Sequence, residues 1–229
     1  MSQLDVIEKF DLTFAKKYDE KVRATVPGYD EMHEMALSLM QNSMGIRAQV
    51  LVAGAGCGME LLTMGAANHE WTFVGVDPAE KMLEIARHRV ETSNISNRVK
   101  LIQGMVSTLP SVPVFDGATA ILVMHFLDDH EGKPAFLRGL AERLRPGSPL
   151  VLVDLYRSRD SKEFSRLYAA WKSYLSRRGY DISGHDKEME MIHFVSDTRM
   201  KQLLQDAGFV DVSQFYGAFL FGGWVATRK

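Results

Sequence analysis

The chain predicts an α/β protein: a doubly wound, mostly parallel seven-stranded sheet with an antiparallel C-terminal hairpin. Three observations carry that reading. Between residues 48 and 154, short apolar runs alternate with helix-periodic stretches in strict β-then-α order, the pattern of a parallel sheet covered by helices on both faces. The first apolar run, Val50-Leu51-Val52-Ala53, passes into Gly54-Ala55-Gly56-Cys57-Gly58, whose glycines at every second position let the backbone turn sharply with no Cβ in the way. Beyond Gly208 the alternation gives way to two apolar stretches around Gly217, which read as a hairpin.

In chain order, residues 4 to 24 place Val6, Ile7, Phe10, Phe14 and Tyr18 at helical spacing, one or two short helices. Val26-Pro27-Gly28-Tyr29 ends them, and a helix from Asp30 to about Asn42 follows, with Met32, Ala36 and Met40 on one face. After the glycines come a helix over 58–67 and the strand Trp71 to Val76, closed by Asp77. Pro78 suits the first turn of the next helix, which runs to about Glu91. Strands are expected at Val99 to Ile102, Ala118 to Met124 and Leu150 to Asp154, with a helix over 134–144 before the last. An amphipathic helix over 161–178, carrying Phe164, Leu167, Tyr168, Trp171 and Leu175, is followed by the polar stretch Gly179 to Glu190. Ser196 then caps a helix ending at Gly208, ahead of strands Phe209 to Phe215 and Ala218 to Thr227. The expected organisation is one domain over 1–229, with an N-terminal helical cover (1–45) and a substrate-side insertion (156–195).

Composition narrows the function classes. With 229 residues, 46% hydrophobic and 24% charged, the chain has enough material for a full core without staples. A net charge of −2 gives no basic footprint for nucleic acid. Met1 to Phe10 holds no apolar run of signal-peptide type, and no stretch is apolar enough for a membrane span. The single cysteine, Cys57, excludes an internal disulfide and fits a reducing compartment, so a cytoplasmic location is expected. No metal site is expected, because His130 after Asp128-Asp129 finds no second ligand at suitable spacing.

In a doubly wound sheet, ligands bind outside the carboxyl ends of the strands. Residues 54–58, 77, 104–106, 124–126 and 154–156 would therefore open on one crevice. Asp77 stands about 20 residues after the glycines, where nucleotide-binding βαβ units place a carboxylate on the ribose hydroxyls. A nicotinamide-dependent oxidoreductase is one alternative, although Met59 stands where the third dinucleotide glycine belongs.

From about residue 48 to the end the chain resembles the class I S-adenosylmethionine-dependent methyltransferases, which are Rossmann-like. The likeness is carried by Val50 to Gly58, by Val74-Gly75-Val76-Asp77-Pro78, and by Leu144-Arg145-Pro146-Gly147. It implies S-adenosyl-L-methionine as cofactor and a small molecule as methyl acceptor. Gly54, Ala55 and Gly56 would pass under its methionyl and ribose part, and Asp77 would hold both ribose hydroxyls. Pro78 and Met82 would lie against adenine, with Met105 and Val106 on its other edge. Met124 and His125 would lie beside the sulfonium, and Tyr29, with Tyr18 or Arg23, would close the methionine carboxylate side. The chain departs from the family at Val52 and Met105, where Asp or Glu and Asp are usual.

Val26-Pro27-Gly28-Tyr29 and the insertion also resemble the carboxy-S-adenosylmethionine synthases of tRNA wobble-uridine modification. That branch holds its extra carboxylate with an arginine of the insertion, whereas Gly184 to Ile192 here offers His185 and Lys187. Methyl transfer from an activated sulfonium needs alignment and exclusion of water rather than a nucleophilic side chain. His125 is the candidate catalytic residue, able to deprotonate or orient an acceptor. Phe126, Tyr156, Tyr174 and His185 are the substrate-side candidates. A cofactor-binding or dimerisation module without turnover is a further alternative, and a homodimer stays open.

Overall fold

The structure, a computed structural model, describes residues 12–229. Val6, Ile7 and Phe10 of the expected N-terminal helices lie outside the described residues. The parallel core is built from β1 (Ala48–Ala53), β2 (Trp71–Asp77), β3 (Val99–Gln103), β4 (Gly117–Ile121) and β5 (Pro149–Leu155). The C-terminal strands β6 (Phe209–Ala218) and β7 (Phe221–Arg228) complete a seven-stranded sheet in the order β3-β2-β1-β4-β5-β7-β6. β7 runs antiparallel to both β5 and β6.

Alternation along β1 explains why it is apolar from Val50 to Ala53. Val50 and Val52 face one layer of core, with Trp71, Phe73 and Val151, while Leu51 and Ala53 face the other, with Ala118, Ala120 and Leu152. A central strand covered on both faces reads as a nearly continuous apolar run. The first layer takes α2 (Tyr29–Ser43), α3 (Met59–Ala67), α4 (Glu80–Thr92) and α6 (Lys162–Arg177) through Met32, Leu61, Leu83 and Trp171. The second takes α5 (Gly132–Arg143) and α8 (Asp197–Asp206) through Leu137 and Leu203. α1 (Leu12–Thr25) lies toward the carboxyl ends of the strands, and the Trp171 indole N–H of α6 donates to its Thr25 carbonyl at 2.7 Å.

Three local expectations are corrected. The fourth strand stops at Ile121 rather than Met124, because Leu122 adopts φ +58 and the chain continues into a 3-10 turn, Met124–Phe126. The hairpin turns at Phe219-Leu220 and not at Gly217, which pairs with Gly222 inside the ladder. The polar stretch after α6 contains a one-and-a-half-turn helix, α7 (His185–Glu190), begun by Gly184 at φ +85.

β1 and β4 are neighbours in the sheet, although β2 and β3 were laid down on the other side of β1. The crevice opens at the carboxyl ends of β1 and β4, where the strand order reverses and the flanking helices diverge.

Candidate active site

The glycine turn forms the floor. Gly54 lies at φ +73, and a Cβ there would sit 2.1 Å from Val123 Cγ2, so both the dihedral and the space require glycine. Gly56, at φ +49, turns its N–H toward Asp77 Oδ2 at 2.9 Å, while Asp77 Oδ1 accepts from the Ala79 amide at 2.8 Å. Burial pushes the Asp77 carboxyl up, and those two amides oppose the shift. The Asp77 side chain thus stands at the cleft with its orientation fixed by two backbone donors.

One cleft runs from this turn past Asp77, Pro78 and Met82 on one side and Met105, Val106 and Leu122 on the other. It extends over the glycines toward Tyr18, Tyr29, Asp19 and Glu60. A second cavity adjoins it, lined by Val22, Thr25, His125, Trp171, His185 and Phe221 among others. Tyr18 and Leu122 border all three spaces, and Phe126 borders the cleft and the second cavity.

His125 is buried on the wall of the second cavity. Its Nδ1 lies 2.5 Å from Asp154 Oδ1, which also accepts the Leu155 amide at 2.7 Å. A carboxylate can only accept, so Nδ1 carries the proton and Nε2 is the nitrogen free to take another. The turn that carries the histidine is tied down by the His193 amide on the His125 carbonyl (2.9 Å) and by buried Lys133, whose ammonium donates to the carbonyls of Leu127 and His193. Burial pulls Lys133 down from its ordinary value.

Other expected residues lie elsewhere. Arg23 is at the surface, paired with Asp30 at 3.0 Å and Asp19 at 3.5 Å, and does not line the cleft. Met124 is fully buried in the core layer below, and Leu122 and Val123 reach the cleft in its place. Tyr156 packs edge-on to Trp224 at 5.0 Å, and Tyr174 lies against Phe219 at 5.6 Å; neither lines the second cavity. His185 does line it, buried at 5% exposure, with neither ring nitrogen hydrogen-bonded. Cys57 is buried, and desolvation pushes its thiol up to about 12, so it carries almost no thiolate at neutral pH. Asp128, next to His130, is engaged by the amides of His130 and Glu131, both at 2.9 Å.

Sequence reasoning gave no role to Glu60 or Asp19, placed Asp154 on the crevice without a partner, and favoured a core stripe over a cavity wall for Trp171. Asp154 carried a usable signal, a carboxylate closing an apolar strand as Asp77 does. Glu60 looked like an ordinary acid in a helix first turn.

A turn stripped of side chains, a fixed carboxylate one strand over and a buried, unpartnered carboxylate oxygen on Glu60 suit a ligand with a sugar and a cationic end. Residues 50–147 match the family model of the methyltransferase domain. The sheet order and the glycine turn are those of such a domain, so residues 50–147 form the part of the chain that is similar to a methyltransferase domain.

Over nearly its whole length the chain is similar to carboxy-S-adenosyl-L-methionine synthase of Escherichia coli, at 23% identity over 228 residues, covering 96% of this chain and 90% of that protein. Human N-acetylserotonin methyltransferase, solved in complex with SAM, superposes with a TM-score of 0.64 at 14% identity, covering 95% of this chain and 55% of that one. Geranyl diphosphate methyltransferase, solved with GPP and sinefungin, gives a TM-score of 0.65 at 14% identity over 87% of this chain and 77% of that one. The chain thus spans little more than half of the human enzyme's length. Likeness at these identities concerns the fold.

Proposed function

We propose that this protein transfers the methyl group of S-adenosylmethionine to a hydroxyl of a small, largely apolar acceptor, with His125 as general base. The observation that carries the reading is the His125–Asp154 pair on the wall of a second, mostly apolar cavity that adjoins the cofactor cleft across Tyr18, Leu122 and Phe126. Bound in the cleft, S-adenosylmethionine supplies a methyl group already activated by its sulfonium. The protein's part is alignment, dehydration and proton removal. Gly54 and Gly56 admit the cofactor against the backbone, and Asp77 takes the ribose hydroxyls. Leu122, Phe126, Trp171 and Phe221 exclude water from the acceptor. Nε2 of His125 receives the hydroxyl proton, and Asp154 stabilises the resulting imidazolium.

Transfer of an isotopic methyl label from S-adenosylmethionine to a panel of small alcohols and phenols tests this, comparing the wild type with His125→Gln and Asp154→Asn. A general base contributes about 10²–10⁴-fold, so the His125 variant should lose at least about a hundredfold in kcat while its cofactor Kd stays within about twofold. Cofactor binding without transfer to any acceptor would favour a binding module instead.

The likeness to the carboxy-S-adenosylmethionine synthase favours a second reading, manufacture of a carboxylated cofactor. Against it, the second cavity is lined by no arginine among the described residues, and its Lys21 is paired to Glu188 at 2.8 Å. Mass spectrometry of nucleotide released from the purified protein separates the two, since only the second reading yields the carboxylated species.

A further inference from the structure

The cleft has an acid where β1 provides none. Val52, fully buried in the core, cannot meet a cation. Glu60, second residue of α3, is buried at 5% exposure, lines the extension of the cleft over Gly54 and Gly56, and leaves Oε1 without a hydrogen-bond partner. A buried carboxylate oxygen with no donor is costly to keep and calls for a ligand that supplies one.

The direction of the cleft identifies that ligand group. Asp77 marks the ribose, and Pro78, Met82, Met105 and Val106 line the cleft with it and do not border the second cavity. The acceptor stands at the other end, beside His125, so the sulfonium and the aminoacyl chain must occupy the Tyr18, Tyr29 and Glu60 side. We propose that Glu60 receives the ammonium of the cofactor's aminoacyl end, in place of an acid at position 52. The inference rests on the cofactor reading above and assigns a contact within it.

The groups facing Glu60 sharpen its behaviour. Tyr18 and Asp19 come from α1, Tyr29 from α2, Cys57 from the glycine turn and Asp77 from β2. The arginines nearby, Arg23 and Arg89, are engaged by Asp19. Burial first, and Asp77 among the smaller causes, pushes the Glu60 carboxyl up to about 8. In the free protein at pH 6–7 it therefore holds a proton, which an arriving ammonium must displace. Affinity for a ligand bearing that ammonium rises with pH until Glu60 is ionised, and binding releases a proton.

Titration calorimetry with S-adenosylhomocysteine at pH 6, 7 and 8, in two buffers of different ionisation enthalpy, tests the assignment. The Kd should fall roughly tenfold from pH 6 to 7 and about fivefold from 7 to 8, with close to one proton released at the lower two values. Glu60→Gln should be flat across this range and bind more weakly than the wild type at pH 8. As internal control, 5′-methylthioadenosine, the same nucleoside without the amino acid, should bind the wild type independently of pH. A flat wild-type profile for S-adenosylhomocysteine, or a Glu60→Gln variant that binds as the wild type does, overturns the Glu60 assignment and leaves the cofactor reading standing. Failure of both nucleosides to bind at any pH removes the cofactor reading, and the assignment with it.

Discussion

Replacing Glu60 by glutamine should make the ligand-free protein more stable at pH 8, although it weakens the binding site. An ordinary glutamate titrates near 4.5, but burial in the cleft raises this carboxyl to about 8. Between those values the folded protein keeps a proton that the unfolded chain gives up, so stability falls as pH rises through that window. At 1.36 kcal/mol per pH unit the window corresponds to a ceiling of about 5 kcal/mol. Water entry into a cleft open at one end lowers the effective cost, so we expect about 2–3 kcal/mol at pH 8. Glutamine keeps the shape and carries no charge, so it removes the pH-dependent part. Urea unfolding of both proteins without ligand, at pH 5, 6.5 and 8, measures the difference. The two should agree within about 1 kcal/mol at pH 5, with the variant ahead by the stated amount at pH 8. Parallel pH profiles, or a variant less stable at pH 8, would refute the reasoning.

Gly54→Ala combines a left-handed φ of +73 with a Cβ 2.1 Å from Val123; a loss of about 2–4 kcal/mol in stability and of measurable nucleoside binding is expected, by denaturant unfolding and calorimetry. His33, buried edge-on to Tyr29 at 4.6 Å, is lowered by burial to about 4. Because its folded value lies below the ordinary 6.5, stability should fall as pH drops from 6.5 toward 4, by up to about 3 kcal/mol, and His33→Phe should flatten that part of an unfolding series. Lys133→Met leaves the carbonyls of Leu127 and His193 without their donor beneath the His125 turn. About 2–4 kcal/mol of stability should be lost, with a drop in kcat larger than any change in cofactor Kd.

The apolar runs placed β1, β4 and β5 because strands covered on both faces are largely apolar, and the glycine turn was legible because few other sequences permit that backbone. The end of β4 was not. Leu122 takes a left-handed conformation that leucine does not favour, held by its amide on the Val153 carbonyl at 2.7 Å. Only the tertiary context creates that bend, which sends Met124 into the core and Leu122 to the cleft. Tyr156 and Tyr174 lie off the cavity for a related reason, whereas Phe126 lines it. Tyr156 follows the last residue of β5 and packs with Trp224 in the second core layer, while Trp171, assigned to a helix core stripe, both packs and borders the cavity. Periodicity says which residues share a face, but not how far up that face the packing ends and a cavity begins.

The unsatisfied polar atoms carry the argument beyond motif matching. Asp19 Oδ1 and Glu60 Oε1 are buried without partners where the cleft extends over the glycines; Asp154 Oδ2 lies behind His125, and both ring nitrogens of His185 lie on the wall of the second cavity. Each costs about 1–3 kcal/mol while unmet. A fold selected for stability alone would replace them with apolar groups of similar volume, which is often neutral or stabilising. Others, on His33, Thr119, Arg143, Arg157, Asp197 and Trp224, lie away from the two hollows, so it is the place of these atoms beside the hollows, and not their number, that lets bound molecules supply the missing hydrogen bonds. On this view the depressed His185, pushed below its ordinary value by burial, and the elevated Glu60 share one cause. Each sits in a desolvated space that disfavours its charged form, and only Glu60 faces the end of the cleft where a bound cation would reverse that preference.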